Sequence, residues 1–382
     1  MDGRTSASST RQRLRRWAPR SGRSRGRAPL GLQSCGCWRV GLANGVGACW
    51  QGSAAGGSLP SSRLATFDAE EGEECSVGDL TQDLVRDRAL IEELAEPAAA
   101  LLERHLSVTK QWYPFEDVPW DRATDFSRDE WDEGVYPLSE GVRSALIVNL
   151  LTEDNLPYYT HALLQTVPQG HPLREWSGRW TAEEWRHSAA MRDWVLATRA
   201  LDPWRLEDDR MVQMTTGIVP QAETVADTLA YVSFQELATQ VAHRNTSQAL
   251  DRTLRGKKIM SQIAGDEGLH HAFYRDLAAA AIERDPNLMV VAIYRQLRGF
   301  RMPGQGIPGF AAHERTIAEA GIFDASQYLN QVVLPTLDAW RLDELEGLDD
   351  EAERARHRIG RTVSALTRVA SMPMAAAAVG AD

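Results

Sequence analysis

Hydrophobic positions recur at the three- to four-residue spacing of α-helices along most of the chain, and the period-two alternation of β-strands is nowhere sustained. The predicted helices cover about 80–106 with an interruption at Pro97, 138–166 with a kink at Pro157, 180–201, 204–216, 222–245, 248–283, 286–301, 311–320, 326–342 and 344–370. The pattern therefore predicts an all-α fold.

The two ends of the chain are predicted to lie outside this fold. Residues 1–64 show no apolar period and contain eleven arginines but one acidic residue, so we expect a disordered extension. Its composition is that of an organellar transit peptide or of a segment upstream of a mis-assigned start, and we favour the second. Residues 65–370 are predicted to form one helical domain, and 371–382 an Ala-rich frayed end. No run of about 18 apolar residues predicts a membrane-spanning helix.

Charge and cysteine content exclude several kinds of site. The 382-residue chain has a formal charge of −11 and the segment 1–64 carries +10, so the body carries −21, which argues against nucleic-acid binding. All four cysteines, Cys35, Cys37, Cys49 and Cys75, precede the predicted helices. The body therefore has neither a disulfide framework nor a thiolate metal site.

A Glu-x-x-His motif occurs twice within predicted helices, as Glu184 with His187 and as Glu267 with His270. Residues three apart lie on one helix face about a turn apart, so each pair can hold one metal ion. A single glutamate precedes each motif at the same distance along the chain, Glu153 before Glu184 and Glu236 before Glu267. One Glu-x-x-His motif alone is weak evidence for a metal site. The repeat, however, predicts two copies of a helix pair in which one helix supplies a glutamate and the next supplies Glu-x-x-His.

Four inward-facing helices with this ligand set predict a ferritin-like bundle with a two-metal carboxylate centre and additional peripheral helices. Buried together, four carboxylates need compensating positive charge. A site rich in oxygen, with one nitrogen for each metal, suits iron or manganese better than zinc, and we expect two iron ions. The predicted ligands are Glu153, Glu184, His187, Glu236, Glu267 and His270.

Neighbouring residues allow alternative interpretations. Thr239 shares a helix face with Glu236, where its hydroxyl either meets oxygen or bonds back to its own helix. Asp266 is either a surface acid or the group that orients His187. Taken singly, Thr181 and Glu184 also fit a capping box at a helix start, which does not explain why the ligand pattern occurs twice.

Six segments together resemble the soluble acyl-ACP desaturases, especially their actinobacterial branch. They are TEDNLPYY (152–159), WTAEEWRH (180–187), SFQELAT with HRNT (233–239, 243–246), DEGLH (266–270) and FRMPG (300–304). The resemblance implies a di-iron enzyme that uses O2 and ferredoxin-type electrons to introduce a cis double bond into an acyl chain carried on acyl carrier protein. It also implies a homodimer and a cytoplasmic location, or a plastid one if residues 1–64 are a transit peptide.

The resemblance implies the same six metal ligands, and it adds further site residues. It places Thr239 near the oxygen, and Trp112 with Asp266 on an electron path to His187. The family usually has Glu-Glu-Asn-Arg-His-Gly, whereas this chain has Trp185 and Ser188 in place of the asparagine and the glycine. Position 185 lies off the ligand face, so the departure bears on selectivity rather than on the metal.

Other classes remain as alternatives. One is another di-iron oxidase or hydroxylase, and a second is a non-catalytic, ferritin-like iron-binding protein. Because acyl carrier protein is acidic, its docking on an acidic body needs a local basic patch. Our hypothesis for that patch is Arg252, Arg255, Lys257 and Lys258.

Overall fold

The computed structural model describes residues 77–372 except 221 and 223, and every regular element within that part of the chain is helical. The all-α prediction is confirmed. The predictions for residues 1–64 lie outside the described residues, as does most of the predicted frayed end at 371–382.

The described part of the chain contains fourteen α-helices, numbered in chain order. They are α1 Val77–Glu93, α2 Ala95–Val108, α3 Pro114–Asp117, α4 Glu140–Asp154, α5 Leu156–Gln165, α6 Pro172–Thr198, α7 Pro203–Thr216, α8 Val225–Ala249, α9 Gly256–Arg284, α10 Pro286–Gly299, α11 Phe310–Glu319, α12 Ala325–Gln327, α13 Leu334–Trp340 and α14 Asp350–Ala370. A π-helical segment, Tyr328–Val333, joins α12 to α13.

Helices α4, α6, α8 and α9 form a closed four-helix bundle, since α4 packs on α6 and α8, and α9 packs on the same two helices. Their interior is apolar toward both ends and is filled by fully buried side chains such as Trp176, Phe234, Met191 and Ile263. The remaining helices pack around this bundle. The predicted ferritin-like core with peripheral helices is therefore the observed architecture.

The start predicted for the third long helix, near Trp180, is wrong. Helix α6 begins at Pro172, where the ring of His171 accepts a hydrogen bond from the backbone N–H of Leu173. Thr181 lies inside this helix, and its hydroxyl donates to the carbonyl of Ser177. A capping box at Thr181 and Glu184 is thereby excluded. The helix ends at Thr198 rather than near residue 201, because Arg199 adopts a left-handed conformation with φ of 59°.

Other predicted boundaries also shift. The first helical segment breaks at Leu94, between α1 and α2, and Pro97 lies in the first turn of α2. Helix α8 continues to Ala249, and α9 does not begin until Gly256. The last helix begins at Asp350 rather than near residue 344. None of the helices in the described part of the chain combines the length and apolar content needed to cross a membrane.

Candidate metal centre

The six predicted ligands come together in the middle of the bundle as two overlapping groups. Glu153, Glu184, His187 and Glu267 form one group, and Glu184, Glu236, Glu267 and His270 form the other, with candidate ligand atoms within 4.8 Å of one another. All six side chains are buried. Glu184 and Glu267 belong to both groups.

The two shared glutamates each face both histidines. Oε2 of Glu184 lies 3.6 Å from Nδ1 of His187, and its Oε1 lies 2.9 Å from Nδ1 of His270. Oε1 of Glu267 lies 3.4 Å from Nδ1 of His187, and its Oε2 lies 3.6 Å from Nδ1 of His270. Each glutamate is therefore placed to bridge two ions, one beside each imidazole.

The donor atoms that face the centre fit metal ions because they lack well-aligned hydrogen bonds. These buried atoms are Oε1 of Glu184, Nδ1 of His187, Oε2 of Glu236, both carboxylate oxygens of Glu267 and Nδ1 of His270. Buried polar atoms are nearly always satisfied in proteins, so a convergent set of unsatisfied ones indicates a ligand. Carboxylate oxygens with one imidazole nitrogen for each ion suit iron or manganese.

The electrostatics of the centre also favour bound cations. Burial raises the pKa of Glu153 well above its usual range, and the charges of Glu184 and Glu267 raise it further. Burial and the charge of Glu267 likewise raise the pKa of Glu236. Four adjacent carboxylates cannot all ionise in this interior without positive charge between them.

Asp266 links one ligand histidine to a tryptophan. Its Oδ2 lies 3.1 Å from Nε2 of His187 and accepts hydrogen bonds from Nε1 of Trp112 at 2.9 Å and from Arg186 at 2.6 Å. Burial opposes ionisation of Asp266, but the hydrogen bond and charge of His187, the charge of Arg186 and the hydrogen bond from Trp112 together outweigh it and lower the pKa of the carboxyl. An ionised carboxylate only accepts, so it holds a proton on Nε2 of His187 and leaves Nδ1 as the ring nitrogen that can bind a metal ion.

Glu183 has the corresponding place beside the other histidine and was missed by the sequence analysis. Its Oε2 lies 3.0 Å from Nε2 of His270 and 3.0 Å from Nε2 of His105, and Arg179 donates to its Oε1 at 2.7 Å. Burial opposes ionisation of Glu183, but the hydrogen bonds and the charges of the two histidines together outweigh it and hold its pKa well below the usual range. The available signal was an acid directly before each Glu-x-x-His, which repeats at the same interval as the ligands.

Two further side chains contact the predicted ligands Glu153 and Glu236 and were also missed. Nε2 of His243 lies 3.1 Å from Oε1 of Glu153, and Nε1 of Trp180 donates to Oε1 of Glu236 at 3.1 Å. In each ligand carboxylate one oxygen is thus fixed from outside. Sequence spacing gave no signal for these contacts, because each joins different helices.

The hydroxyl of Thr239 bonds to its own helix. It donates to the carbonyl of Gln235 at 2.8 Å and accepts from the Gln235 side chain at 3.0 Å. This is the local alternative raised by the sequence. A role for Thr239 beside oxygen requires rotation of this hydroxyl and stays a prediction.

The two departures from the family pattern lie away from the ligand atoms. The side chain of Trp185 is 67% exposed on the outer face of α6. The hydroxyl of Ser188 donates to the carboxylate of Asp154, next to Glu153. Trp185 therefore changes the surface of the protein, whereas Ser188 adds a contact between α6 and α4.

A cleft of about 180 Å³ lies between the end of α10 and the segment that follows α7. Tyr231 lines it and precedes Glu236 by five residues, about 7.5 Å along α8. Pro303 also lines it, and the Pro303 carbonyl accepts a hydrogen bond from Thr152, the residue before Glu153. The cleft is therefore lined by one residue of α8 and borders α4, the two helices that carry Glu236 and Glu153.

Comparison with known proteins agrees with this geometry. The family model described as "Fatty acid desaturase" matches residues 86–379. The chain is 35% identical to the acyl-[acyl-carrier-protein] desaturase DesA1 of Mycobacterium tuberculosis over 73% of this chain and 86% of that protein. It is 26% identical to stearoyl-[acyl-carrier-protein] 9-desaturase 1 of Arabidopsis thaliana over 65% and 68% of the two chains. The X-ray structure of DesA2 from M. tuberculosis superposes with a TM-score of 0.58 at 25% identity, covering 70% of this chain and 99% of that one.

The fold and the buried carboxylate and histidine cluster define a ferritin-like protein with a centre suited to two metal ions. More narrowly, the chain belongs to the fatty acid desaturase family, in the acyl-ACP desaturase group. It is accordingly an oxidoreductase of fatty acid metabolism.

Proposed function

We propose that this enzyme is an iron-dependent acyl-ACP desaturase, which uses O2 and electrons from a ferredoxin-type donor to introduce a cis double bond into a saturated acyl chain on acyl carrier protein. The single observation that carries the proposal is the set of unsatisfied donor atoms converging from Glu184, His187, Glu236, Glu267 and His270. We also propose a homodimer in the cytoplasm, as in the family that the chain resembles.

Two iron ions would be held by Glu153, Glu184, His187, Glu236, Glu267 and His270, with Glu184 and Glu267 shared between them. Bound there, the irons supply the activation of O2 and the oxidation of the acyl chain. The protein orients the ligands: Asp266 and Glu183 fix the proton on the outer nitrogen of each histidine.

Trp112 is proposed to carry electrons toward the centre. Its ring stacks on that of His187 with centroids 6.5 Å apart and an interplanar angle of 9°. The guanidinium of Arg186 lies 4.7 Å above the indole. The indole N–H, the Asp266 carboxylate and the His187 ring form one continuous contact chain that ends at a proposed iron ligand.

The test is metal analysis of the full chain, followed by incubation with stearoyl- or palmitoyl-ACP, ferredoxin, its reductase and O2. We expect two irons per chain and a cis-monounsaturated product whose bond position is read by mass spectrometry. Glu267→Gln is expected to lose iron, whereas Glu175→Gln, at an exposed position of α6, retains it. Two irons without product would move the function to another di-iron oxidase, and absence of iron would refute the ligand assignment.

A further inference from the structure

Helix α14 carries a row of exposed arginines along its outer face. Arg354, Arg361 and Arg368 recur every seven residues, which is nearly two turns, so they project from the same side of the helix. The opposite side, which includes Ile359 and Val363, is buried against the protein. The row therefore faces solvent along almost the whole of α14.

The side chains of these three arginines differ from those of neighbouring arginines on α14, which contact other groups of the protein. Arg356 binds Glu353 and the carbonyl of Leu345, and Arg358 stacks over an aromatic ring of α10. In the described part of the chain, the guanidinium groups of the three exposed arginines have no hydrogen bond or ion pair. The sequence from Arg354 to Met372 contains no acidic residue.

The end of α10 extends this positive surface toward the cleft. Arg358 lies 5.8 Å from the ring centroid of Tyr294, so the arginine-bearing parts of α14 and α10 are adjacent. Arg298 follows Tyr294 by one helical turn and is exposed. Arg301 lines the cleft itself. We call Arg298, Arg301, Arg354, Arg361 and Arg368 together the α14 basic face.

The patch suggested by the sequence at the start of α9 is partly neutralised by its own protein. Lys258 donates to the buried carboxylate of Asp117 at 2.7 Å. Arg255 donates to the carbonyl of Glu116. Both side chains hold α3 against α9, so they offer less charge to a partner than the α14 basic face does.

We propose that the α14 basic face is where acyl carrier protein docks, with the acyl chain entering through the adjacent cleft. This inference rests on the proposed function. The body of the chain carries −21, so it repels an acidic partner everywhere except where cations cluster. An acidic carrier protein fits such a face, whereas a nucleic acid would meet a repulsive body around a short row of charges.

The decisive measurement is the affinity of fluorescently labelled stearoyl-ACP for the full-length enzyme by anisotropy, at low and at physiological ionic strength. Arg354→Glu/Arg361→Glu/Arg368→Glu is expected to raise Kd at least tenfold and to abolish most of its salt dependence. In turnover, KM for the carrier rises while kcat at saturation stays within twofold.

The matched control, Arg88→Glu/Lys110→Glu/Arg128→Glu, changes net charge equally at exposed positions outside the α14 basic face and outside the patch at the start of α9, and it is expected to retain wild-type affinity. If the charge-reversed variant proves unstable in thermal melts, the neutral variant Arg354→Gln/Arg361→Gln/Arg368→Gln replaces it. This neutral variant is expected to lose less affinity for the carrier, while the control still loses none.

Three outcomes would overturn the docking surface: wild-type affinity in the α14 variant, an equal loss in both triple variants, or a loss of ferredoxin binding instead of carrier binding. Failure of the wild-type enzyme to bind any acyl-ACP would instead refute the proposed function. The binding assay needs no turnover, so it separates the two failures.

Discussion

Replacing Glu183 with Gln tests whether this acid, which is not a proposed ligand, sets the metal affinity of the centre. The substitution preserves the shape of the side chain but removes its negative charge. That charge lies on the carboxylate whose Oε2 is 3.0 Å from Nε2 of His270 and 3.0 Å from Nε2 of His105. A hydrogen bond to a charged group contributes about 1.5–3 kcal/mol and a neutral one about 0.5–1.5 kcal/mol, a difference of roughly 1–1.5 kcal/mol at His270. That difference corresponds to about a tenfold loss in affinity, within the 10–100-fold range of outer-shell substitutions.

The loss is expected at one of two ions, because of the two predicted ligand histidines only His270 contacts Glu183, whereas His187 contacts Asp266. Anaerobic calorimetric titration of the metal-free protein with Fe²⁺ resolves this, with one binding event weakened and the other unchanged. Asp266→Asn should weaken the complementary event. Glu175→Gln, eight residues earlier on the exposed side of α6, serves as the control.

Wild-type affinity for both ions in Glu183→Gln would show that this carboxylate does not orient His270, and the reasoning would be refuted. Equal weakening of both events together with a lower melting temperature would indicate general damage to the bundle. His105→Gln is expected to have a smaller effect, since it leaves the charge of Glu183 in place.

Four further variants test other parts of the chain. Trp112→Phe keeps the stacked ring but removes its N–H donor, so stopped-flow reduction by ferredoxin should slow at unchanged iron content; an unchanged rate would contradict the electron path. Gly256→Ala would place a methyl group 2.3 Å from the ring of Trp194 and cost about 1–3 kcal/mol in urea unfolding. In Gly178→Ala the new methyl group meets no atom within 4 Å, so the free energy of unfolding should rise by about 0.5–1 kcal/mol. If Gly178→Ala proved less stable than Gly256→Ala, the packing described for Gly256 would be contradicted. Trp185→Asn should change stability by no more than about 0.5 kcal/mol and leave the iron titration unaltered, because this side chain is 67% exposed; lost iron would show that the site depends on it.

Local signals misplaced several helix boundaries. Thr181 and Glu184 fit a helix start, yet α6 begins at Pro172 because its first turns bury Leu173 and Trp176 against other helices. Asn245 and the residues after it resemble a helix end, yet α8 continues to Ala249. Burial of one helix face against neighbours stabilises such turns more than residue propensity disfavours them.

The sequence by itself determined the all-α class and the six residues that meet in the bundle. It did so because a 3.6-residue period and an i, i+3 ligand spacing are local properties of a helix, and the repeat of that spacing along the chain marks which ligands act together. Only the tertiary structure decided which groups surround those six. Glu183 meets His105 and His243 meets Glu153 from distant parts of the chain, and the α14 basic face joins two helices that the chain order separates. Such contacts depend on how helices pack, and no spacing along one helix encodes them.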